Sequence, residues 1–308
     1  MKKKFISTNM KIFLLVLFLL SMTLYASGCI ALVQSGYKLS DYADELNIDH
    51  QTFKFKFNLN KLNFDFDNSY ISMNYPVNDN INEIDLNLNS QDVKVVNYDG
   101  EDLKVQIESH SVLSGELPKT ESGNKLILNT RYDTPSNSSI SLSIPYNFND
   151  RGVLKIITSS GDINISNLSM NTLNLSTASG DIGVFGTTLN YLKLNNSSGD
   201  INFNNLTTLN ETKLTSSSGD IIGSGTLGTV NGGTSSGDIN LQFRNSLSNT
   251  FLSTDSGSVT LSLPINLGYK LNYETTSGNL ESSNKQLSSG DESSLIDINT
   301  ISGDLDIK

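Results

Sequence analysis

The 308-residue chain has one Cys, two His and no Trp. A single Cys excludes a disulfide framework. So few Cys and His leave both a Cys/His zinc cluster and a Ser-His-Asp hydrolase poorly supplied. Lys and Arg number 21 against 32 Asp and Glu, a formal charge of −11. That balance argues against a nucleic-acid partner, because phosphate binding needs clustered cations. Charged residues make up only 17%, too few for a highly charged disordered chain. What abounds is Asn, Ser, Thr, Leu, Ile and Gly, a composition suited to stacked β-structure with polar turns.

The N-terminus has the form of an address. Lys2, Lys3, Lys4 and Lys11 precede the apolar run Ile12 to Leu20, which is too short to span a bilayer core needing about 20 residues. It fits a secretory signal peptide. Leu24-Tyr25-Ala26-Ser27-Gly28 then leads into Cys29, which resembles the lipobox of bacterial lipoproteins. The resemblance implies removal of residues 1–28 and lipidation of Cys29, with several acyl chains giving stable anchoring where one holds only marginally. The removed segment carries four Lys and no acid, which takes the formal charge from −11 to −15. So acidic a body stands off an anionic bilayer surface.

A repeat governs the rest. Ser-Gly-Asp or a close variant recurs with its glycine at Gly161, Gly180, Gly199, Gly219, Gly237, Gly257, Gly278 and Gly303, at intervals of 19, 19, 20, 18, 20, 21 and 25 residues. Two residues after each Gly stand Ile163, Ile182, Ile201, Ile221, Ile239, Val259, Leu280 and Leu305. Apolar residues return two positions later, except at Gly223 and Ser282, and alternate upstream in the same phase, as in Leu173/Leu175 and Leu192/Leu194. A period of two marks strands with one buried face, and Gly supplies φ > 0 for the turn between them.

Two architectures suit such a unit. Gly-Asp could close two-residue hairpins in an antiparallel meander or sandwich, or each unit of about 20 residues could be one coil of a parallel β-solenoid. The polar columns favour the solenoid. Ser precedes every repeat Gly, and Thr158, Thr177, Asn196, Ser216, Thr234, Thr254, Thr275 and Thr300 stand three residues before it. Hairpins leave such positions free, whereas a solenoid stacks like on like. The expected fold is all-β, a parallel β-solenoid, right-handed because parallel crossovers almost always are.

Residues 161–308 form the regular repeat and 81–160 earlier, irregular coils, in which Ile140 to Pro145 is echoed by Val259 to Pro264. Pro at the end of both strands marks where the chain leaves the ladder. Residues 53–80, opened by the aromatic alternation Phe53-Lys54-Phe55-Lys56-Phe57, are expected to cap one end, and 29–52 to tether the body to its lipid.

The repeat, together with Ser143-Ile144-Pro145, resembles the bacterial DUF4097 family from about residue 81 onward. That family is described as adhesins of β-repeat architecture, and LiaG-type envelope proteins are similar to it. The resemblance implies a fold and brings no catalytic residues.

Asp162, Asp181, Asp200, Asp220, Asp238 and Asp304 form an ionic column, broken by Ser258 and Asn279. Carboxylates one coil apart repel by about 1 kcal/mol in water. Either each accepts hydrogen bonds from its own turn's amides, or neighbours such as Asp162, Asp181, Asp200, Asp220 and Asp238 hold Ca²⁺. An enzyme acting on polysaccharide needs convergent carboxylates or a carboxylate cluster with a basic residue. The eight basic residues after 150 (Arg151, Lys155, Lys193, Lys213, Arg244, Lys270, Lys285 and Lys308) are not expected to share a repeat position, and His50 and His110 lie outside the regular repeat. The expected function is therefore a lipid-anchored extracytoplasmic binding or scaffold protein, adhesin-like and non-enzymatic, with a glycan or envelope protein as partner. Its expected place is the cell membrane, or the outer membrane in a host with two, where Ile30 after Cys29 permits that sorting. The alternatives are an envelope-stress or signalling accessory that binds a membrane protein, and a glycan-cleaving solenoid enzyme.

Overall fold

The computed structural model describes residues 58–59, 62–63, 69–77, 80–109, 119–129, 138–148, 151–264, 267–282 and 288–308. The chain divides into two compact units, Met1–Asp67 and Asn68–Lys308. Within the first, Asn58–Leu59 pairs antiparallel with Leu62–Asn63. The signal segment, Cys29, the 29–52 tether and Phe53 to Phe57 lie outside the described residues.

The second unit is a single sheet of 23 strands wound into a β-solenoid. One rung runs along Val153–Ile157, turns at the Ser-Gly-Asp corner, continues as Ile163–Ser166, and turns again into Ser169–Thr177 of the next rung. Pairing between rungs is parallel and in register: Leu154 lies beside Leu173, and Ile163 beside Ile182. Ile163, Ile182, Ile201, Ile221, Ile239, Val259 and Leu305 thus form one buried column. Each such side chain contributes about 1.5–3 kcal/mol on burial. The break in the apolar pattern at Gly223 has a packing reason: a Cβ there would fall 2.0 Å from the ring of buried Phe203 on the rung before. Among the described residues the only helix is a 3₁₀ turn at Tyr146–Phe148, and none is long and apolar enough to cross a membrane.

The corner glycines are required for a reason other than the one the sequence suggests. None of the repeat glycines has positive φ; among the described glycines only Gly123, Gly186 and Gly290 do. A Cβ on Gly199 would instead lie 2.3 Å from the carbonyl oxygen of Gly180, and one on Gly257 only 1.8 Å from that of Gly237. Backbone sits on backbone at this corner, and hydrogen is the only side chain that fits. The left-handed conformation belongs to the second corner, where Asn167, Gly186 and Asn205 have φ of 51°, 59° and 53°. Asn and Gly are the residues that adopt it readily.

The stack does not follow chain order at either end. Val259 pairs with Leu305, and Leu305 in turn with Leu280. The last rung in sequence therefore lies between the Gly257 rung and the Gly278 rung, which is outermost. After Pro264 the chain passes over one vacant level and returns to fill it, a skip of only about 4.8 Å. Lys308 is fixed inside the ladder: its N–H donates to the Leu261 carbonyl at 2.9 Å, and Leu263 N–H to its carbonyl at 3.0 Å. At the opposite end Glu83–Asn87 is flanked by Val153–Ile157 and by Lys125–Asn129, which comes later in sequence. Antiparallel strands close this end, Ser138–Pro145 pairing with Asp102–Ser109 and that strand with Ser69–Pro76.

Substitutions distinguish the two glycine roles. Gly199→Ala and Gly199→Asn should both destabilise by about 1–3 kcal/mol through overpacking. Gly123→Ala, at a left-handed position with open space around it, should cost about 1–2 kcal/mol, most of which Gly123→Asn restores. Urea unfolding measures all four. Restoration by Asn at position 199 would show that conformation, not close approach, selects Gly there.

Candidate binding face

Three columns run along the stack. The first is buried at the Ser-Gly-Asp corner. Thr177 Oγ1 accepts from Gly180 N–H at 3.1 Å and donates to the Gly161 carbonyl at 3.2 Å. Thr234 and Thr254 repeat the pattern. Asn196 reproduces it with two atoms, Oδ1 accepting from Gly199 N–H at 3.1 Å and Nδ2 donating to the Gly180 carbonyl at 2.7 Å. The column thus pairs polar backbone groups that would otherwise be buried at a cost of about 1–3 kcal/mol each.

The second is the Asp column. Asp181 N–H donates to Asp162 Oδ1 at 2.8 Å, Asp200 N–H to Asp181 Oδ1 at 2.8 Å, and Asp220 N–H to Asp200 Oδ1 at 2.9 Å. Asp238 N–H then donates to Asp220 Oδ1, and Ser258 N–H to Asp238 Oδ1. Asp304 accepts from Asn279 N–H at 2.7 Å. The bonds therefore run from rung to rung, not within each turn as the sequence suggests. Charge-assisted bonds of this kind, worth about 1.5–3 kcal/mol, offset the repulsion between neighbours. For Asp162, Asp181, Asp200, Asp220 and Asp238, the residues of the Ca²⁺ expectation, the ladder uses Oδ1. Each commits one carboxylate oxygen to backbone, and among the described residues no group of three or more His, Cys, Asp or Glu is placed to hold a metal ion. His50 and His110 lie outside the described residues.

The third column crosses the outer face of the flat sheet, the flank built from Glu83–Asn87, Val153–Ile157, Ser169–Thr177 and their successors up to Ser294–Thr300. Register places Asp85, Lys155, Asn174, Lys193, Lys213, Asn231, Phe251 and Asp297 side by side on successive rungs. This corrects the expectation that the basic residues share no repeat position. Lys155, Lys193 and Lys213 all stand six residues before their repeat Gly. Aligning the repeats on glycine and reading that one position would have found them. At the end of the column, buried Asp85 has an Oδ1 with no hydrogen-bond partner. Burial, then the nearby Glu83 carboxylate, raises its pKa, while Lys155 and Lys125 pull it back. Lys155 is the register partner of Asp85 on the neighbouring strand.

Across the rungs from Lys213 to Asn299 the same face opens into a groove of about 640 Å³, lined by Lys213, Asn231, Gly233, Phe251, Asp255 and Asp297 among others. Gly233 makes the depression, since it faces outward between Thr215 and Ser253 without a side chain. A mixed polar lining with one aromatic ring and charges of both signs suits a polar, ring-bearing ligand.

The Toastrack DUF4097 family profile matches residues 81–308. The chain belongs to this family. The Toastrack solenoid resembles a solved structure described as a putative adhesin from Bacteroides fragilis NCTC 9343, with 15% identity, coverage of 78% of this chain and 97% of that one, and a TM-score of 0.50. It also resembles one from Parabacteroides distasonis ATCC 8503, described in the same words, with 13% identity, coverage of 79% and 98%, and a TM-score of 0.51. At such identities the likeness concerns the fold. No curated protein matches the chain.

The Asp ladder makes a definite prediction. Asp181→Asn keeps the Oδ1 acceptor and removes one charge from a repelling column, so its melting temperature should equal or exceed that of the unsubstituted chain, most clearly at low salt. Asp181→Ala should lose about 1.5–3 kcal/mol. Millimolar Ca²⁺ should leave all three unchanged in thermal melts; a rise of several degrees that Asp181→Asn abolishes would restore the cation reading.

Proposed function

We propose that the chain is a lipid-anchored, extracytoplasmic binding protein, adhesin-like in role and non-enzymatic. The observation that carries this reading is the groove on the flat face, where polar, charged and aromatic side chains are offered at fixed rung spacing. Each Asp of the ladder gives one carboxylate oxygen to the stack, whereas Lys193 and Lys213 on the outer face have no ion-pair partner among the described residues. The two structures of like fold carry the description putative adhesin, which supports the reading. The anchor is read from Cys29 behind Leu24 to Gly28 and the apolar run before it.

Two experiments test the halves separately. Expressed in a bacterium fed alkyne-tagged palmitate, the chain should take up label and enter the membrane fraction, while Cys29→Ala should do neither; label retained by that variant would refute the anchor. The purified full chain should bind saturably to whole cells or to an arrayed glycan without releasing reducing ends. Release of such ends would refute the non-enzymatic reading. Absence of such binding, together with co-purification of a sensor or transporter, would replace the adhesin-like role with the accessory one.

A further inference from the structure

We propose that the outer face carrying Lys193, Lys213 and Phe251 binds an extended acidic polysaccharide, one whose sugar rings bear carboxylates. The proposal rests on the binding role above and names the ligand class for that face.

The first ground is an uncompensated charge. Lys193 and Lys213 are direct register partners on neighbouring strands, both exposed. Like charges placed opposite one another on adjacent strands destabilise a sheet. Among the described residues, neither lysine lies within ion-pair distance of a carboxylate; the described pairs are Lys119 with Glu121, Lys125 with Glu83, and Lys308 with Asp306. The acid nearest in sequence, Glu211, accepts instead from Asn231 Nδ2 at 3.1 Å. On a chain of formal charge −11, two adjacent unpaired ammonium groups are a local positive site that an anionic ligand would relieve.

The second ground is the company these lysines keep. Tyr191, 45% exposed, stands two residues before Lys193 on the same face, and Phe251, 37% exposed, lies two rungs beyond Lys213 in the same column. Aromatic faces stack on the C–H faces of pyranose rings, and a polyol-phosphate chain offers no such ring. Asn231 and Asp297, in the same column as Phe251, can bond sugar hydroxyls. The third ground is spacing. Rungs repeat about every 4.8 Å, close to the advance per residue of an extended β-linked pyranose chain, so sugars laid along the stack meet equivalent positions on successive rungs. The groove of about 640 Å³ has room for a short stretch of such a chain.

The probe is hyaluronan, a β-linked polymer with a carboxylate on alternate sugars, presented to the full chain on a biosensor. Binding is expected, and it should weaken as salt rises. Carboxyl-reduced hyaluronan, and the double variant Lys193→Gln/Lys213→Gln against intact hyaluronan, should each bind roughly tenfold more weakly, the scale of two exposed charge pairs. Both lysines are exposed, so an unchanged melting temperature should accompany the loss. Tyr191→Ser should weaken binding to the intact and the carboxyl-reduced polymer alike. Equal binding by the double variant, equal binding of the reduced polymer, or preference for a glycerol-phosphate polymer would overturn the proposal. If cells or a neutral glycan are bound and hyaluronan is not, the binding role stands and this assignment falls. If nothing is bound, both fall.

Discussion

The solenoid depends on one close approach: at each Ser-Gly-Asp corner the carbonyl of one glycine occupies the space where the next glycine's side chain would be. This brings successive corners to sheet spacing in a turn, where side chains would otherwise hold them apart. Once the corners touch, the buried Thr and Asn side chains can reach both their own Gly N–H and the neighbouring Gly carbonyl. The exposed Asp side chain, one residue later, reaches the amide of the rung above. A single vacancy in the side-chain lattice thus makes two hydrogen-bonded ladders geometrically possible, one buried and one wet. The aliphatic column from Ile163 to Leu305 supplies the apolar burial between them.

This arrangement divides the polar residues by task. Those at the corner are consumed by the stack, including the carboxylates that looked most like a ligand site. Those on the outer face of the flat sheet are excused from structural work, so Lys, Asn, Phe and Asp can follow one another down a single column without disturbing the core beneath. A surface of this kind is variable at fixed positions, which suits a protein whose ligand is long and regular.

Much of the fold was legible in the sequence because stacking makes equivalent residues recur. The Ser-Gly-Asp spacing, the period-two apolar flanks and the Thr column together point to a parallel stack; in 81–160 the strands Glu83–Asn87, Asp92–Tyr98 and Lys125–Asn129 do pair in parallel, whereas Asp102–Ser109, which alternates in the same way, pairs antiparallel on both sides. Three features of single positions were hidden. The glycine requirement is the same on paper whether φ or contact causes it, and only neighbouring coordinates separate the two. The left-handed second corner shows in sequence only as Asn167, Gly186 and Asn205, three residues of two types at the repeat interval. The lysine column was overlooked because Asn174 interrupts it and Asn231 and Phe251 end it, so identity fails where position holds.

Stack order is the feature that sequence spacing hides most completely, because the skipped level costs so few residues. It also bears on folding: the Gly278 rung has no Gly257 neighbour to rest on until residues Ser294–Ile307 enter between them. Hydrogen–deuterium exchange tests this arrangement most directly, since protection follows local opening. The amides of Ile296, Ile298 and Leu305 should exchange as slowly as those of Leu252 and Leu261, while Asn272 to Glu274, earlier in the chain, should exchange first. Fast exchange at Ile296 to Leu305 with strong protection at Asn272 to Glu274 would mean that the rungs stack in chain order, and would contradict the account.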